Sequence, residues 1–360
     1  MHTLAVGVIY GGKSTEHEVS IKSAKGIITQ MDPMKYAVKH IFIDKSGHWY
    51  LQTAEQFQQR VMTPKSKEYG RPLVIRFGEG HHSICFADDL SSLQLDVIFP
   101  IIHGNFGEDG CLQGLLRMAE IPFVGSDVLG SALGMDKEVA KRLLYLAGIP
   151  NARYRCIKQH ETWPDFHSIT QELGPVLFVK PARQGSSVGI SKVDSEQKWR
   201  QALQTAFEYD TKILVEEYIK GREIEVSVLG NEQPKASIAG EIVPQAEFYS
   251  YEAKYIDPNG AKLVIPAELS ASVLESIRDM AIKTYTILEC AGMARVDFFI
   301  TADKCYINEI NTIPGFTSIS MYPKLWEASG LKMQDLIGDL LTLAIARHQN
   351  QVVKLSSLEL

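Results

Sequence analysis

The sequence predicts an α/β protein of several domains, and three observations lead to that prediction. Short apolar segments alternate with helical segments over roughly the first 130 residues, which is typical of a parallel, doubly wound sheet. Glycine-rich loops follow two of the predicted strands, at the edge where such sheets bind ligands. The chain has 360 residues, which is too long for one ordinary core, so two or three domains are expected.

The first region places both glycine-rich loops at the ends of strands. Its predicted strands are residues 4–9, 37–43, 96–100 and 122–124, and its predicted helices lie near 19–30 and 111–119. Gly11 and Gly12 follow the first strand, and the polar loop HGNFGEDG (residues 103–110) follows the third. Residues 44–80 show no regular pattern that assigns them to an element.

Two further regions follow without a Pro/Gly/Ser-rich linker, so the domains are expected to pack together. The second has predicted helices at 136–147 and 196–208 and predicted strands at 154–157, 176–181, 190–193 and 213–217. Its tight turns favour an antiparallel sheet. The third has predicted strands at 223–229 and 237–243, a C-terminal hairpin, and predicted helices near 271–288 and 333–346. The predicted domains are therefore residues 1–135, 136–222 and 223–360, the last two being α+β.

The composition narrows the class of function. Hydrophobic residues make up 45% of the chain and charged residues 22%, as in a soluble globular protein. The net charge of −6, with no basic block, argues against nucleic acid as the main partner. The first residues resemble a buried strand rather than a signal peptide, and no apolar run is long enough to span a membrane. The five cysteines show no CxxC spacing, which indicates reduced thiols in a cytoplasmic protein.

The C-terminal hairpin carries the strongest chemical signal. Strands at 293–300 and 304–310 are joined by a polar turn, with Asp297 in the first and Glu309 and Asn311 at the end of the second. Residues two apart share one face of a strand, so the hairpin would bring three oxygen-bearing side chains together. Such a cluster suits Mg²⁺ that also holds phosphate oxygens. The alternative is that these acids merely face water.

A small-residue loop in FVKPARQGSSVGISKV (residues 178–193) is a candidate phosphate site. Gly185, Ser186 and Ser187 leave backbone N–H groups open to a ligand, and Lys180 adds a cation beside them. The loop is not a Walker motif, because its flanking elements are both strands. Lys137, at a predicted helix start, would supply a second cation to a triphosphate. The alternatives are an ordinary hairpin loop and a surface lysine.

Three more segments are candidates for substrate contacts. In residues 214–226, the segment from Glu217 to Ile219 could offer backbone groups to adenine and Glu223 could bind ribose, or the strand could simply be charged and exposed. Glu16 begins a helix after the first glycine loop, where it could bind an ammonium group or merely complement the helix dipole. Residues 247–267 are long, polar and aromatic, as expected of a lid that excludes water.

Taken together and in order, these motifs resemble the D-alanine–D-alanine ligases of the ATP-grasp superfamily. The matching stretches are GGKSTEHEVSIKSA, HGNFGEDGCLQG, MDK, VKPARQGSSVGISKV, EEYIKGRE, FYSYEAKY, ARVDFF and NEINTIPGFTSISMYP, which span nearly the whole chain. The resemblance implies three α/β domains with ATP held between the second and third. It implies ATP-dependent phosphorylation of one D-alanine, attack by the amine of a second, and a dipeptide that feeds peptidoglycan synthesis. It also suggests a cytoplasmic homodimer.

The resemblance implies a role for each matching residue. ATP would be bound by Lys137, Lys180, Gly185, Ser187, Glu216, Glu217, Ile219 and Glu223. Two Mg²⁺ ions, or Mn²⁺ in their place, would be held by Asp297, Glu309 and Asn311. Catalysis would involve Arg295 and a hydrogen-bonded set of Glu16, Ser186 and Tyr255. The two D-alanine molecules would contact His103, Lys254, Gly315, Ser320 and Met321. Many relatives carry lysine where this chain has Glu217, a difference that a backbone contact to adenine would tolerate.

Two rival functions remain. One is another ATP-grasp ligase, such as a D-alanine–D-lactate ligase or a carboxylase. The other is a catalytically silent nucleotide-binding regulator, which the complete set of metal-binding residues and the lid argue against. The neutral Tyr255 in the lid favours D-alanine over D-lactate as the second substrate, because a cation there would repel the incoming ammonium group.

Overall fold

The computed structural model describes residues 3–63, 68–244 and 261–356 of the chain. Three sheets, each with its own helices, make up the described part. Within it, no helix is long and apolar enough to cross a bilayer. All five cysteines are unpaired, as their spacing predicts. The division into domains at residues 135 and 222 stays a prediction, and both boundaries fall close to the short links between neighbouring elements.

The first sheet has six strands in the order β5-β4-β3-β2-β1-β6. Its strands are β1 (Leu4–Gly11), β2 (Tyr36–Ile43), β3 (Trp49–Gln52), β4 (Arg71–Ile75), β5 (Ile84–Phe86) and β6 (Val97–Pro100). The helices of this region are α1 (His17–Ile28), α2 (Ala54–Met62) and the short 3₁₀ turn Gly80–His82. The loops after β1 and β6 leave the sheet side by side, because these two strands are parallel neighbours.

The prediction of a parallel sheet is correct for only part of this region. Strands β2, β1 and β6 are parallel, but β3, β4 and β5 follow in turn beside β2, each antiparallel to the strand before it. The reason lies in the turn after β2, where the Asp44 carboxylate accepts hydrogen bonds from the backbone of Ser46 and His48. So short a turn can only join antiparallel strands, since parallel ones need a long crossover.

Five helices and the second sheet follow along the chain. The helices are α3 (Cys111–Met118), α4 (Val128–Met135), α5 (Lys137–Leu146), α6 (Phe166–Leu173) and α7 (Glu196–Phe207). The strands are β7 (Tyr154–Lys158), β8 (Leu177–Pro181), β9 (Ser191–Val193) and β10 (Lys212–Glu217), in the order β7-β10-β8-β9. All neighbours in this sheet are antiparallel, as predicted. Helices α4 and α6 are additions that the sequence analysis did not predict.

The third sheet is antiparallel and has the order β13-β12-β11-β14-β15. Its strands are β11 (Arg222–Gly230), β12 (Lys235–Pro244), β13 (Ala261–Val264), β14 (Gly292–Ile300) and β15 (Cys305–Asn311). Among the described residues of this region the helices are α8 (Ala271–Ile287), α9 (Met321–Ala328) and α10 (Met333–Ser356). Strand β13 and helix α9 were not predicted.

The largest hydrophobic core joins the two ends of the chain. It contains Tyr10 and Phe99 from the first sheet together with Leu336 and Leu340 from helix α10. Phe316, from the segment after β15, packs edge-on against Phe99 in the same core, with ring centroids 5.7 Å apart. This packing fixes the segment after β15 beside the loops that follow β1 and β6.

Helix α1 lies very close to the segment after β15 at Gly26. A Cβ at this position would lie 1.9 Å from the carbonyl oxygen of Phe316, so the helix or the segment would have to move. Overpacking costs about 1–3 kcal/mol, more than the gain of up to about 1 kcal/mol from replacing glycine by alanine in a helix. We expect Gly26→Ala to lower the free energy of unfolding, measured by urea titration with circular dichroism.

Gly114→Ala is the matched control, because Gly114 also lies within a helix. There the nearest atom to a new Cβ is 3.9 Å away, on the side chain of Val128, which is ordinary contact. This variant should be as stable as the parent or up to about 1 kcal/mol more stable. Equal effects of the two substitutions would show that α1 is not tightly docked.

Candidate active site

A cavity lies between the loops after β1 and β6, the loop after β8, and one face of the third sheet. Most of the predicted site residues line it: Glu16, His103, Gly185, Ser186, Glu223, Arg295, Asp297, Glu309, Asn311, Gly315, Ser320 and Met321. The fold therefore brings together motifs that are up to 300 residues apart in the sequence.

The predicted hairpin is confirmed, and it sets its polar side chains opposite each other. Asp297 on β14 is the cross-strand partner of Glu309 on β15, and Arg295 is the partner of Asn311. The Asn311 side-chain amide donates to the Asp297 carboxylate at 3.2 Å. A register shift next to Asp297 marks an irregularity in the ladder, a feature that often re-aims side chains beside active sites.

Arg295 lies at the centre of this acidic face. Its guanidinium donates two hydrogen bonds of 2.7 Å to Asp297 and forms an ion pair of 2.9 Å with Glu225 on β11. Burial alone would lower the pKa of Arg295, but Asp297 and Glu225 raise it well above its usual value. The guanidinium therefore stays positively charged, and the two carboxylates fix its orientation.

The lining of the cavity carries an excess of acids. Among the described residues that line it, six are carboxylic acids, Glu16, Glu108, Glu223, Glu225, Asp297 and Glu309, and the basic residue is Arg295. Such a cavity favours cations, including an ammonium group, and it disfavours a bare polyphosphate.

The hairpin fits a hard cation in the chemistry of its donors. Within the described ranges, no three His, Cys, Asp or Glu side chains are grouped so as to hold a metal ion. The predicted set differs from such a group because its third member, Asn311, is an amide. Two carboxylates and an amide supply the oxygen ligands that Mg²⁺ prefers, and their surplus negative charge is available to balance it.

Two predicted phosphate-binding lysines are buried at the edge of this cavity. Lys137, the first residue of α5, donates to the carbonyl oxygen of Gln184 at 2.7 Å and lies 3.4 Å from the Glu309 carboxylate. Lys180 on β8 forms an ion pair of 2.8 Å with Glu216 on the neighbouring strand β10. The Lys137 ammonium group is therefore held next to the loop that follows β8, and that of Lys180 is held against β10.

Glu216 is shared between two cations. Besides Lys180, it pairs at 3.1 Å with Lys141, a residue of α5 that is 2% exposed. Burial favours the neutral form of the carboxyl, but the two lysines together hold the pKa of Glu216 below its usual value. Burial lowers the pKa of Lys141, although Glu216 opposes this shift. The carboxylate thus ties α5 to the second sheet.

The loop after β8 reaches across the cavity to the first sheet. Ser186 donates a hydrogen bond to the Glu16 carboxylate, so two residues of the predicted three-residue set are in contact. A Cβ at Gly185 would lie 3.0 Å from the same carboxylate. Ser186 and Ser187 have φ of 51° and 59°, in the left-handed region that side chains disfavour. The loop is therefore held in a strained form that brings its backbone next to Glu16.

Six predicted ATP-binding residues do not line the cavity: the ion-paired Lys137, Lys180 and Glu216 described above, and Ser187, Glu217 and Ile219. The Glu217 carboxylate accepts hydrogen bonds from the backbone and side chain of Arg153. The N–H of Glu217 bonds to the Arg153 carbonyl, and that of Tyr218 bonds to Val176. The N–H groups of Glu217 and Tyr218 are therefore occupied. A nucleotide could bond only to backbone N–H groups from Ile219 onward or to backbone carbonyl groups.

His103 is committed to contacts inside the protein. Its Nδ1 lies 3.0 Å from the carbonyl oxygen of Ile313, and its Nε2 lies 3.0 Å from the hydroxyl of Ser23. A carbonyl only accepts, so Nδ1 carries the proton and Ser23 donates to Nε2. Burial lowers the pKa of His103, which keeps the ring neutral. His103 therefore has no free N–H to donate to a substrate carboxylate, as the predicted contact would require.

The segment after β15 presents the remaining substrate residues. Ser320 caps α9, and its hydroxyl oxygen accepts a hydrogen bond of 2.9 Å from the backbone of Thr317. A Cβ at Gly315 would lie 2.7 Å from that oxygen, so only glycine permits this close approach. Met321 is buried against Gly240 of β12. Gly315 and Ser320 therefore form a small polar corner of the cavity, and the side chain of Met321 forms its apolar side.

The predicted lid at 247–267 lies largely outside the described residues, and with it Lys254 and Tyr255. Its last part forms strand β13, which the polar pattern of the segment did not indicate.

Sequence reasoning missed three residues at this site. Glu225 is two positions from Glu223 on β11, so strand periodicity places both on one face. Lys141 is four positions from Lys137 on α5, the spacing at which helical side chains are neighbours. Glu108 belongs to the HGNFGEDG loop, which was singled out for its position at a strand end, but nothing in the sequence distinguished this acid from Asp109.

Comparisons with known proteins agree over nearly the whole chain. The model described as D-ala D-ala ligase N-terminus matches residues 5–126, and that described as D-ala D-ala ligase C-terminus matches residues 143–342. A D-alanine–D-alanine ligase of Oceanobacillus iheyensis is 51% identical over 352 residues, which is 96% of this chain and 96% of that protein.

Solved structures give the same picture. The D-alanine–D-alanine ligase of Coxiella burnetii superposes with a TM-score of 0.89 at 40% identity, covering 100% of this chain and 99% of its own. The VanG D-Ala:D-Ser ligase of Enterococcus faecalis superposes with a TM-score of 0.83 at 35% identity, covering 95% of this chain and 100% of its own.

The shared carboxylate predicts unequal effects of two substitutions. Glu216→Gln would leave Lys141 and Lys180 buried without their counter-charge, and an uncompensated buried charge costs about 3–5 kcal/mol. Lys141→Met keeps the pair between Lys180 and Glu216, so its loss should be smaller. Urea unfolding at pH 7 measures both values. Equal losses, or a larger loss for Lys141→Met, would contradict this arrangement.

The same carboxylate predicts a direction for the pH dependence. Its pKa is lower in the folded than in the unfolded state, so its contribution to stability is present above the unfolded pKa, about 4.3. That contribution is lost as the pH falls through the folded pKa. The difference in stability between the parent and Glu216→Gln should therefore shrink on acidification below about pH 4. A difference that stays constant from pH 7 to pH 3 would exclude the linkage.

Proposed function

This chain belongs to the D-alanine–D-alanine ligase family, and on that premise we propose that it joins two D-alanine molecules in the cavity, at the expense of ATP. The observation that carries the proposal is the meeting of Glu16, the Ser186 loop and the acidic hairpin in one cavity. An ammonium site, a phosphate loop and a cation site are the three parts that such a ligase needs. The product, D-alanyl-D-alanine, would serve peptidoglycan synthesis.

Joining a carboxylate to an amine in water requires activation of the carboxylate. A carboxylate oxygen of the first D-alanine attacks the γ-phosphorus of ATP, giving D-alanyl phosphate and ADP. The amine of the second D-alanine, once it has lost a proton, attacks the acyl carbon, and phosphate leaves with the electrons of the C–O bond. The reaction therefore depends on holding three reactants in line and keeping water out.

The first D-alanine is placed by the buried carboxylate of Glu16. Its ammonium group would bind this carboxylate, which also accepts the hydrogen bond from Ser186. Because Ser186 belongs to the phosphate loop, the amino acid and the loop would be oriented by one side chain. Tyr255, in the lid, would complete this set.

The phosphates of ATP are placed by the loop at 185–188 and by the lysines beside it. Lys137 lies between the loop and Glu309, so it would contact phosphate and the metal site at once. Lys180 would hold a phosphate oxygen while Glu216 keeps it oriented. Arg295 would stabilise charge that develops on the transferred phosphoryl group and on the acyl oxygen.

Adenosine would lie between the second and third sheets. The Lys180 and Glu216 pair offers a donor beside an acceptor, and Glu223 would take the ribose hydroxyls. Since the Glu217 carboxylate is held by Arg153, we assign its contact to the backbone, as also for Ile219 and the loop residue Ser187.

Asp297, Glu309 and Asn311 would hold two Mg²⁺ ions, or Mn²⁺ in their place. When bound, the ions would neutralise phosphate charge that the acidic lining otherwise repels. The second D-alanine would lie at the corner of Gly315, Ser320 and Met321, with Lys254 closing on its carboxylate from the lid. We also propose that the protein is cytoplasmic and dimeric and divides into domains at residues 135 and 222.

The function is tested by measuring phosphate release and identifying products by mass. Phosphate release from ATP should require D-alanine, should not occur at a comparable rate with L-alanine, and should match the dipeptide formed. Adding equal D-lactate or D-serine to D-alanine at pH 7 tests the second substrate. Mainly D-alanyl-D-lactate or D-alanyl-D-serine would assign the chain a different specificity, and vigorous ATP hydrolysis without any amino acid would contradict a ligase.

The metal assignment is tested by Glu309→Gln. Losing a charged ligand leaves phosphate charge uncompensated, a loss of several kcal/mol, so turnover should fall by more than about a hundredfold at saturating Mg²⁺. The matched control is Asp303→Asn, which also replaces a carboxylate by an amide, but at an exposed position in the turn of the same hairpin. It should keep turnover within about twofold of the parent. Near-normal turnover of Glu309→Gln would refute the assignment.

A further inference from the structure

The backbone of Ile313 is held from both sides by the HGNFGEDG loop. His103 donates to its carbonyl oxygen at 3.0 Å, and its N–H donates to the Glu108 carboxyl at 3.2 Å. Ile313 is 2% exposed and lies two residues beyond Asn311, the end of the hairpin. One residue of the third region is therefore clasped by two side chains of the first. We call these three residues the Ile313 clasp.

Glu108 also reaches the site of Glu16. Its second oxygen accepts a hydrogen bond of 2.6 Å from the N–H of Gly104. Gly104 has φ of 76°, and a Cβ there would lie 3.0 Å from the Glu16 carboxylate. The carboxyl of Glu108 thus bridges the backbone beside the proposed ammonium site and the backbone beside the proposed metal site.

A second tether supports the clasp from the side of His103. Ser23 of α1 donates to Nε2 of His103 and accepts the N–H of Phe316 at 3.3 Å. Helix α1, the loop and the segment after β15 are therefore joined by one connected set of hydrogen bonds. None of these groups carries a bond that the reaction breaks.

The surroundings of Glu108 make these bonds costly to lose. Burial, with the charge of Glu16 as a further cause, raises the pKa of Glu108 to about 8. Gly104 and Ile313 are buried, so their N–H groups would be left without a partner if the Glu108 carboxyl no longer accepted them.

We propose that Glu108 is a positioning residue which, with His103, fastens the first-substrate site to the metal hairpin and so fixes the distance between the carboxylate of D-alanine and the γ-phosphate. The inference rests on the proposed function, since it uses the places assigned to D-alanine and ATP. The nucleotide itself lies between the second and third sheets, so the clasp governs the alignment of the two substrates and not the binding of ATP.

The test is Glu108→Gln, whose amide can accept only one of the two N–H groups. A displacement of about 1 Å at reacting atoms can cost on the order of a hundredfold in rate. We expect kcat to fall roughly ten- to a hundredfold, while the affinity for ATP with Mg²⁺ stays within about twofold of the parent. Phosphate released per dipeptide formed should rise above one, because a misaligned acyl phosphate is open to water.

Asp109→Asn is the matched control. Asp109 is the neighbouring acid, and the hydrogen bonds that its carboxylate accepts come from Phe106 in the same loop and from Cys111 at the start of α3. It should keep kcat, ATP affinity and the ratio of phosphate to dipeptide close to the parent. If it reproduces the effects of Glu108→Gln, the loop as a whole is responsible and the proposal is wrong.

Ser23→Ala removes the hydrogen bonds of Ser23 to His103 and Phe316 and leaves Glu108 unchanged. It tests the proposal if Glu108→Gln does not fold. It should show the same pattern in smaller degree: lower kcat, unchanged ATP affinity and a raised ratio. A parallel loss of ATP affinity in either variant would overturn the proposal, as would a raised KM for D-alanine with unchanged kcat, which would mean direct substrate contact. A parent protein that forms no dipeptide refutes the proposed function instead, so the two failures are distinguishable.

Discussion

The excess of carboxylates over cations in the cavity is the constraint on which the site depends. Glu225, Asp297 and Glu309 share the face of one antiparallel sheet, and Arg295 balances only part of their charge. Uncompensated acids at this density are unfavourable, so the cavity is poised to take up positive charge. The ammonium of an amino acid and a metal carried by a nucleotide both supply it. Lys137 and Lys180, which we propose contact phosphate, are each held by a carboxylate, Glu309 and Glu216 respectively.

Each of the three sheets contributes one part of the cavity lining. The first sheet supplies Glu16, the second supplies the loop of Ser186, and the third supplies the acidic face. Each contribution is incomplete alone, because a carboxylate, a strained loop and an acidic hairpin are individually common surface features. Their meeting is enforced by the edge-on packing of Phe99 and Phe316 in the core and by the ion pair of Lys141 with Glu216, which ties α5 to the second sheet.

Features that depend on local sequence pattern could be predicted, whereas features that depend on contacts between distant parts of the chain could not. The hairpin of Asp297 and Glu309 was predictable because register and strand periodicity are local. Glu108, by contrast, differs from Asp109 only in what it meets in space, and its partner Ile313 is 205 residues away. His103 was assigned to a substrate by resemblance, but its two nitrogens are occupied by Ser23 and Ile313. The antiparallel half of the first sheet depends on a five-residue turn that hydrophobic pattern alone does not reveal.

Helix α10 has a consequence for how the chain is made. Leu336 and Leu340 complete the core in which Tyr10 and Phe99 are buried, so one face of the first sheet is covered by a helix that is synthesised long after its strands. Contacts of such large sequence separation form slowly, and domains generally fold in order as the chain leaves the ribosome. Here the order cannot hold for the first sheet, whose apolar face stays uncovered until α10 has been made. We therefore expect a nascent chain from which α10 has not yet emerged to expose an apolar surface that chaperones recognise.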